Sequence, residues 1–497
     1  MERKIYKSFV KDNLIVIIGV ALIYTKGIIL MPIIIKTVGV SIYGGFILLT
    51  SVLGIIFGIS SFGAGFRSRR YLPSTEKMSV RQDLYYPPLY FQLSSIVFFS
   101  ALFLIFDKQI NAYFFKNEIS YSSLIIPAYL IFYFLYSQGT DYFRYTSRIR
   151  YMTVATLVFP YLHIAIILLF HYTWYSISIN MLMTSQALSA ILIATPCFCV
   201  VFKEIGVRFS FYTIRGLLSD IKLGFPLVIN FILDFILASS DRYFIALYLT
   251  VTDVGFYTPG YVLGSLIIFI PKAMGTILPQ LLSKSVDSKN EYEAQRMLNY
   301  SIKIFLLLVI PFIFGSIVFG KTILSLIANI DVAEKAYRVT PIVALGTLFY
   351  GLSIILSHVL YVRLKTYAIF KMNLMAAIFS LLLNTILFYF FKSIIVAAVT
   401  TFLSYLIAFL YINYIVKKEA WPVNYPSAVI VKSIIASLLM GALLLWLMSI
   451  MKCNISIATL IGLLGIGIFI YLVGLFALKT FTARELNFLK GCILHER

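Results

Sequence analysis

Charge is scarce in this sequence. Only 12% of its 497 residues are Asp, Glu, Lys or Arg, about half the share that a soluble domain carries, which excludes a mainly water-exposed surface. Cysteine is scarcer still. The four cysteines (Cys197, Cys199, Cys453 and Cys492) are too scattered for a disulfide framework, and Cys197-Phe-Cys199 lies in an apolar run without zinc-ligand spacing. The four histidines show no H-E-x-x-H pattern, so no metal or other cofactor site is read from the sequence. His163 and His358 lie within apolar runs, where hydrogen-bonded packing roles are expected of them. No polar segment much exceeds roughly twenty residues, which leaves no room for a soluble catalytic domain. The paired loop acids that a lipid-dependent glycosyltransferase needs are also missing, so no catalytic residue is assigned and the chain is not read as an enzyme.

What the chain has is apolar sequence: 61% of residues are hydrophobic, and runs long enough to cross a bilayer recur from end to end. The fold expected is an all-α polytopic membrane protein. Fourteen spans are placed near 13–35, 43–62, 84–106, 121–140, 152–170, 177–201, 224–249, 256–280, 302–319, 340–361, 372–390, 394–416, 428–449 and 455–478. Lys and Arg concentrate on alternate connections, which puts both termini in the cytosol by the positive-inside rule. The start, MERKIYKSFVK, lacks a cleavage signature and reads as a cytosolic tail before the first span. Topology therefore accounts for the formal charge of +21, and no nucleic-acid partner is expected.

One stretch, GSIVFGKT from Gly315 to Thr322, matches the phosphate-loop pattern G-x-x-x-x-G-K-[ST]. That pattern cradles phosphate only between a strand and a helix. Here it sits within the apolar run FLLLVIPFIFGSIVF, with Lys321 expected just outside the ninth span, so the match is read as accidental.

The chain divides into an N-terminal lobe of six spans (1–203), a cytosolic linker (204–223), a second six-span lobe (224–416) and an appended pair of spans with a tail (417–497). The alternating basic and apolar residues of the linker suit an interfacial amphipathic helix. A short internal echo links the lobes: Gly44-Gly45-Phe46 after span one, and Gly255-Phe256-Tyr257 after span seven. Two lobes around a central site are a common transporter plan.

Charge inside the spans marks the candidate sites. A central Lys costs about 2.5–3.5 kcal/mol on insertion scales, so Lys26, between Thr25 and Gly27, is expected to line a cavity rather than snorkel to an interface. Gly27 and Pro32 would let the helix bend there. Lys272, between Pro271 and Pro279, gives the second lobe its own buried cation. Lys26, Lys272 and Arg242 are the substrate-binding candidates, and their charge suits an anionic ligand. Asp234 and Asp241 are seven apart and share a helix face, which makes them the ion-coupling candidates. Asp234 reads equally as a proton or cation site and as a fixed partner of a Lys or of Asn230. Asp241 with Arg242, nearer the outer interface, also reads as a structural clamp.

Several stretches resemble the polysaccharide-repeat (O-antigen) flippases of the multidrug/oligosaccharidyl-lipid/polysaccharide exporter (MOP) superfamily. ASSDRYFIALYLTVTDVGFYTPGYVLG is similar to that family's seventh-to-eighth-span signature, and TKGIILMPIIIKTVGVSIYGGF to its first span and exit turn. NLMAAIFSLLLNTILFYFFKSIIVAAVTTFLSYLI is similar to its eleventh and twelfth spans, departing from it at Lys392-Ser393-Ile394, and Phe319-Gly320 sits where an F-G follows span nine. Nearly the whole chain is covered. The resemblance implies a flippase in a bacterial cytoplasmic membrane that carries polyprenyl-diphosphate-linked oligosaccharide across the bilayer. Its implied partners are membrane lipids, a polysaccharide polymerase and a chain-length regulator. By position, Lys26 matches a basic site of the family's first span, and Asp241-Arg242 match its D-R pair. A drug/cation antiporter of the same superfamily is the first alternative, and a polysaccharide polymerase the second.

Overall fold

The computed structural model describes residues 2–174, 177–288, 290–419, 421, 423–451 and 456–481; among these, the side chains of 2–21, 23–26, 276 and 277 lie outside the description. In the described residues the chain is helical, without strands. The helices are α1 (Glu2–Ser60), α2 (Phe66–Tyr71), α3 (Met78–Ile105), α4 (Asp107–Phe114), α5 (Ile125–Tyr145) and α6 (Ile149–Trp174). They continue with α7 (Ile179–Ile205), α8 (Ile214–Tyr248), α9 (Val251–Ser265), α10 (Phe269–Asp287), α11 (Glu291–Ile327) and α12 (Ile330–Ala336). The last are α13 (Val339–Val362), α14 (Thr366–Phe390), α15 (Ile394–Lys418), α16 (Ser427–Met451) and α17 (Ile457–Ala477).

Among the described residues, twelve helical stretches are long and apolar enough to cross a membrane, close to the fourteen expected. Expected span four falls on α5, whose C-terminal half is polar, and much of expected span one falls on residues whose side chains lie outside the description. Helices are the form that satisfies backbone polar groups inside hydrocarbon, and the outer faces are apolar: Leu438, Leu439, Trp446 and Phe469 are all exposed. Side-chain caps start several helices: Ser178, Thr213, Thr250, Asn290, Asn329 and Ser456 each accept from the backbone N–H three residues on.

The sharpest break in α1 falls beyond Gly27 and Pro32, at Gly39, whose φ of 87° and ψ of 170° a side chain would resist. Span eight is interrupted earlier than its prolines, at a 3₁₀ turn over Leu266–Ile268. Pro271 has no N–H to return to Ile267 and crowds that turn, which tightens the helix just upstream. The linker is only partly helical: α8 begins at Ile214, and residues 206–213 are non-helical. They are tied to α3 by Tyr86, which donates to the Gly206 carbonyl, by Tyr90, which donates to the Arg208 carbonyl at 3.0 Å, and by the Arg208–Asp83 ion pair at 3.1 Å. Tyr212 then donates to Asp220, and burial together with that carboxylate raises the Tyr212 hydroxyl above its ordinary range. Finally, GSIVFGKT lies wholly inside α11, so its backbone N–H groups are engaged in the helix; Lys321 reaches Glu334 at 3.7 Å.

By packing, the chain forms two compact units: Met1–Thr258 with Asn373–Ser404, and Pro259–Met372 with Tyr405–Arg497. In the first, the two halves of the internal echo touch. A Cβ on Gly44 would overlap the Val251 carbonyl and the Gly255 backbone, and one on Gly255 would overlap the Val40 carbonyl. At the other end of α1 the backbones of Gly63 and Gly224 meet in the same way. The second half of α1 thus lies against the α8–α9 segment near both of its ends. In the second unit, α16 and α17 pack on α11 around Phe319, Met440, Leu444 and Leu463. The buried Tyr471 hydroxyl joins them, 2.7 Å from both Ser433 Oγ and the Leu307 carbonyl.

Candidate functional site

The first unit holds a polar cavity of about 230 Å³. Its construction begins where α1 ends. Phe62, Gly63 and Gly65 have φ values of 45°, 75° and 95°, and these left-handed residues turn the chain sharply into α2. The turn is held from α3, where Gln92 Nε2 donates to the Ala64 carbonyl at 2.5 Å. Gln138 Nε2 of α5 in turn donates to Gln92 Oε1 at 2.8 Å. Both amides are buried, so this relay fixes the turn against α3 and α5.

The turn delivers Arg69 to α5. Its Nε donates to Tyr145 Oη at 3.4 Å, and its Nη2 lies 3.9 Å from Asp141. Arg144, one turn along α5, approaches the same carboxylate at 3.4 Å. Asp141 is only 14% exposed, whereas the Arg69 side chain is 53% exposed, so the carboxylate anchors and the guanidinium keeps an open side. Ser60, Ser61 and Ser137 add hydroxyls, while Phe57, Phe134 and Phe231 supply ring faces. Two guanidiniums against one carboxylate leave the rim positive. Few precisely placed polar groups among apolar walls are the makings of a ligand pocket. This one can hold a hydroxyl-bearing or anionic group.

Sequence reading passed over these residues because Arg69, Gln92, Gln138, Asp141 and Tyr145 lie on three elements and carry no motif. The one available signal was the polar end of α5, Ser137-Gln138-Gly139-Thr140-Asp141, in an otherwise apolar helix.

The sequence-predicted residues are distributed as follows. Lys26 belongs to α1, but its side chain lies outside the described residues. Asp241 is 3% exposed and accepts from the Tyr257 hydroxyl and, at 2.9 Å, from the Arg242 backbone N–H. The Arg242 side chain turns back on its own helix, to the Ala238 carbonyl and Ser239 Oγ, both at 3.1 Å. Asp234, on the same side of α8, is exposed, and Asn373 of α14 donates to it at 3.2 Å. Asn230, one of the partners expected for Asp234, donates to the Pro226 carbonyl at 3.2 Å, four residues back on α8. Lys272 is exposed on α10, in the second unit. His163 has the expected hydrogen bond, 2.9 Å to Ser185 Oγ. His358 does not: it is 6% exposed, and neither ring nitrogen has a hydrogen-bond partner among the described residues.

The second unit holds a cleft of a different kind, of about 420 Å³, bounded by the α9–α11 segment and the appended α16 and α17. Leu307, Pro311, Phe319, Met440, Leu464 and Tyr471 are among the residues that line it, and its wall is almost wholly apolar.

Comparison with known proteins agrees with this architecture. Residues 226–390 match the MatE family. No curated protein matches the sequence. Among solved structures, the lipid II flippase MurJ in an inward closed conformation aligns with a TM-score of 0.73 at 18% identity, covering 94% of this chain and 98% of its own. An inward-facing multidrug resistance MATE transporter aligns with a TM-score of 0.63 at 13% identity, covering 81% of this chain and 94% of its own. A MOP-superfamily transporter from Pyrococcus furiosus, described as having a binding pocket of reversed polarity, aligns at 0.56 and 13% identity, covering 82% of this chain and 96% of its own. The chain is therefore a multi-pass helical membrane protein with the transporter fold of the MatE/MOP superfamily.

Proposed function

We propose that the protein is a flippase, not an enzyme, and that it moves a polyprenyl-diphosphate-linked oligosaccharide across a bacterial cytoplasmic membrane by alternating access. The observation that carries this reading is the apolar cleft beside α16 and α17. A soluble drug cation has no use for a long apolar wall, whereas an isoprenoid tail must stay in apolar surroundings while its head group crosses. The polar cavity of the first unit offers complementary contacts for sugar hydroxyls through its amides, serines and Arg69. MurJ, named as a lipid II flippase, covers more of this chain than the multidrug transporter does.

In this reading Lys26, Lys272 and Arg242 offset the diphosphate charge, and Asp234 with Asp241 couples transport to an ion gradient. Desolvating a diphosphate costs far more than burying either lysine. Both termini lie in the cytosol. A polymerase and a chain-length regulator act on the delivered unit.

The test is surface glycan and accumulated lipid-linked precursor in a strain that depends on each variant at matched protein level. Lys26→Gln and Lys272→Gln should each trap precursor on the inner side, while Lys→Arg at either position should retain part of the activity because charge survives and shape does not. Normal glycan with both glutamine variants would discard the buried-cation mechanism.

A further inference from the structure

An imidazole and a carbonyl deprived of its usual helical donor lie close together in the second unit. On α13, the buried His358 ring has no hydrogen-bond partner at Nδ1 or Nε2 among the described residues, and it stacks on Tyr361 at 6.2 Å between centroids. Across from it lies Gly275 of α10. A Cβ there would stand 3.3 Å from both Cε1 and Nε2 of the ring, so the missing side chain lets the imidazole approach the helix backbone directly. Pro279 follows four residues on, inside α10. It has no N–H to give to the Gly275 carbonyl, so that acceptor is left without its helical donor at the place the imidazole reaches.

Among the described residues, no acid lies inside α10, α11 or α13 away from their ends, and Glu291 and Glu419 pair with Arg363 just past α13. Besides α10, α13 packs on α11, on the Leu266–Ile268 turn, on α9 at Gly260 and Gly264, and on α15 where Tyr350 stacks on Tyr405. The acids of α10 and α11 are confined to Asp287, Glu291 and Glu293 at their ends, and α13 has none. Among the cations, Lys303 of α11 lies over the Phe481 ring at 5.9 Å, and Lys284 lies more than two turns beyond Gly275. Lys272 is one turn before Gly275, about 4.5 Å along the helix axis. The other titratable or charged groups of these helices are Arg296, Lys321, Tyr292 and Tyr300 on α11 and Tyr350 and Tyr361 on α13; α9 carries Asp253, Tyr257 and Tyr261, and α15 carries Tyr405, Tyr411, Tyr414, Lys417 and Lys418.

We propose that His358 is a proton-binding site whose imidazolium donates to the backbone carbonyl of Gly275, so that proton uptake draws α10 and α13 together. A proton from water adds to the free ring nitrogen, and no other bond breaks. The neutral ring makes neither bond in this structure; the charged ring has two donors and forms a stronger, charge-assisted bond to the carbonyl. Because Lys272 shares that turn of α10, like-charge repulsion opposes protonation until an anion sits on the lysine. Proton and anionic ligand therefore favour one another, a reciprocal linkage that rests on the flippase reading above.

The site itself is tested without substrate. The full chain, labelled with nitrogen-labelled histidine, is placed in lipid nanodiscs and followed by NMR, with His358→Gln identifying the signal of this residue. The His358 ring should pass to imidazolium as the pH is lowered. At the pH where the wild-type signal is half imidazolium, Pro279→Ala should weaken that signal several-fold, because residue 279 now satisfies the Gly275 carbonyl. Gly275→Ala, which pushes the ring off the backbone, serves if Pro279→Ala does not fold. A ring that stays neutral until the protein unfolds, or a protonation unchanged in these variants, overturns the proposal. In proteoliposomes carrying lipid-linked oligosaccharide, His358→Gln should lose acceleration by a pH gradient and keep gradient-free flipping. Unchanged acceleration would also overturn it. No flipping by the wild type would instead count against the flippase reading and leave the NMR result standing.

Discussion

The Tyr257 hydroxyl donates to the Asp241 carboxylate in the interior of the first unit. Asp241 is thereby supported by a neighbouring helix, and it also accepts from the backbone N–H of its sequence neighbour Arg242. The S-D-R signature is thus two devices: an inward acid tied to α9 and a guanidinium folded along α8. Removing the phenol oxygen would leave a buried carboxylate short of a donor, at a cost of about 1–3 kcal/mol. Tyr257→Phe should therefore lower the unfolding temperature in detergent, whereas Arg242→Lys should barely move it. Equal stability of Tyr257→Phe and wild type would refute the tie.

The echo glycines make a steric prediction. Val at Gly44 or Gly255 meets backbone atoms that have no side-chain freedom to yield, so each should disrupt folding or transport severely, by more than about 3 kcal/mol where stability can be measured. Gly315, first glycine of the phosphate-loop look-alike, has nothing within 4 Å of an added Cβ. Gly315→Ala should be neutral, or stabilising by up to about 1 kcal/mol from helix propensity. Loss of nucleotide binding in Gly315→Ala or Lys321→Ala would show that the motif is a phosphate site after all.

The amide relay predicts separable effects at the polar cavity. Gln92→Leu removes the donor that holds the Ala64 carbonyl and should cost about 1–3 kcal/mol together with transport. Arg69→Gln leaves the relay intact and should reduce transport with little change in stability, since its side chain is half exposed and its ion pair weak. Thermal unfolding measured beside transport separates the two. Wild-type transport in Arg69→Gln would remove the cavity from the substrate path.

Topology can be read from one helix. Asn290 caps the start of α11 and Asp331 lies just beyond its end, and the 37 residues between Glu291 and Ile327 span about 55 Å, more than a bilayer. Single cysteines at these positions should label from opposite sides of the membrane, 290 from the cytosol and 331 from outside. Labelling from one side would contradict both the span count and the orientation.

Composition alone determined that this is a helical membrane protein, because a spanning segment must be apolar over its whole length and that requirement is written in consecutive residues. The alternation of Lys and Arg yielded an orientation for the same reason, and the P-loop look-alike could be dismissed from its apolar setting. Residues such as Lys26, Lys272 and Asp234 stood out because a charge among apolar neighbours is a local signal. Tertiary structure decided what depends on meetings between distant segments. Gly44 against Gly255, Gln138 on Gln92, Arg69 with Asp141 and Tyr145, and Asn373 rather than Asn230 on Asp234 each join residues tens to hundreds of positions apart. His358 shows the limit most plainly. Its sequence context is that of any packed histidine, and only the approach of a side-chain-free Gly275, with Pro279 four residues on, brings an unpartnered imidazole beside a carbonyl that lacks its usual helical donor.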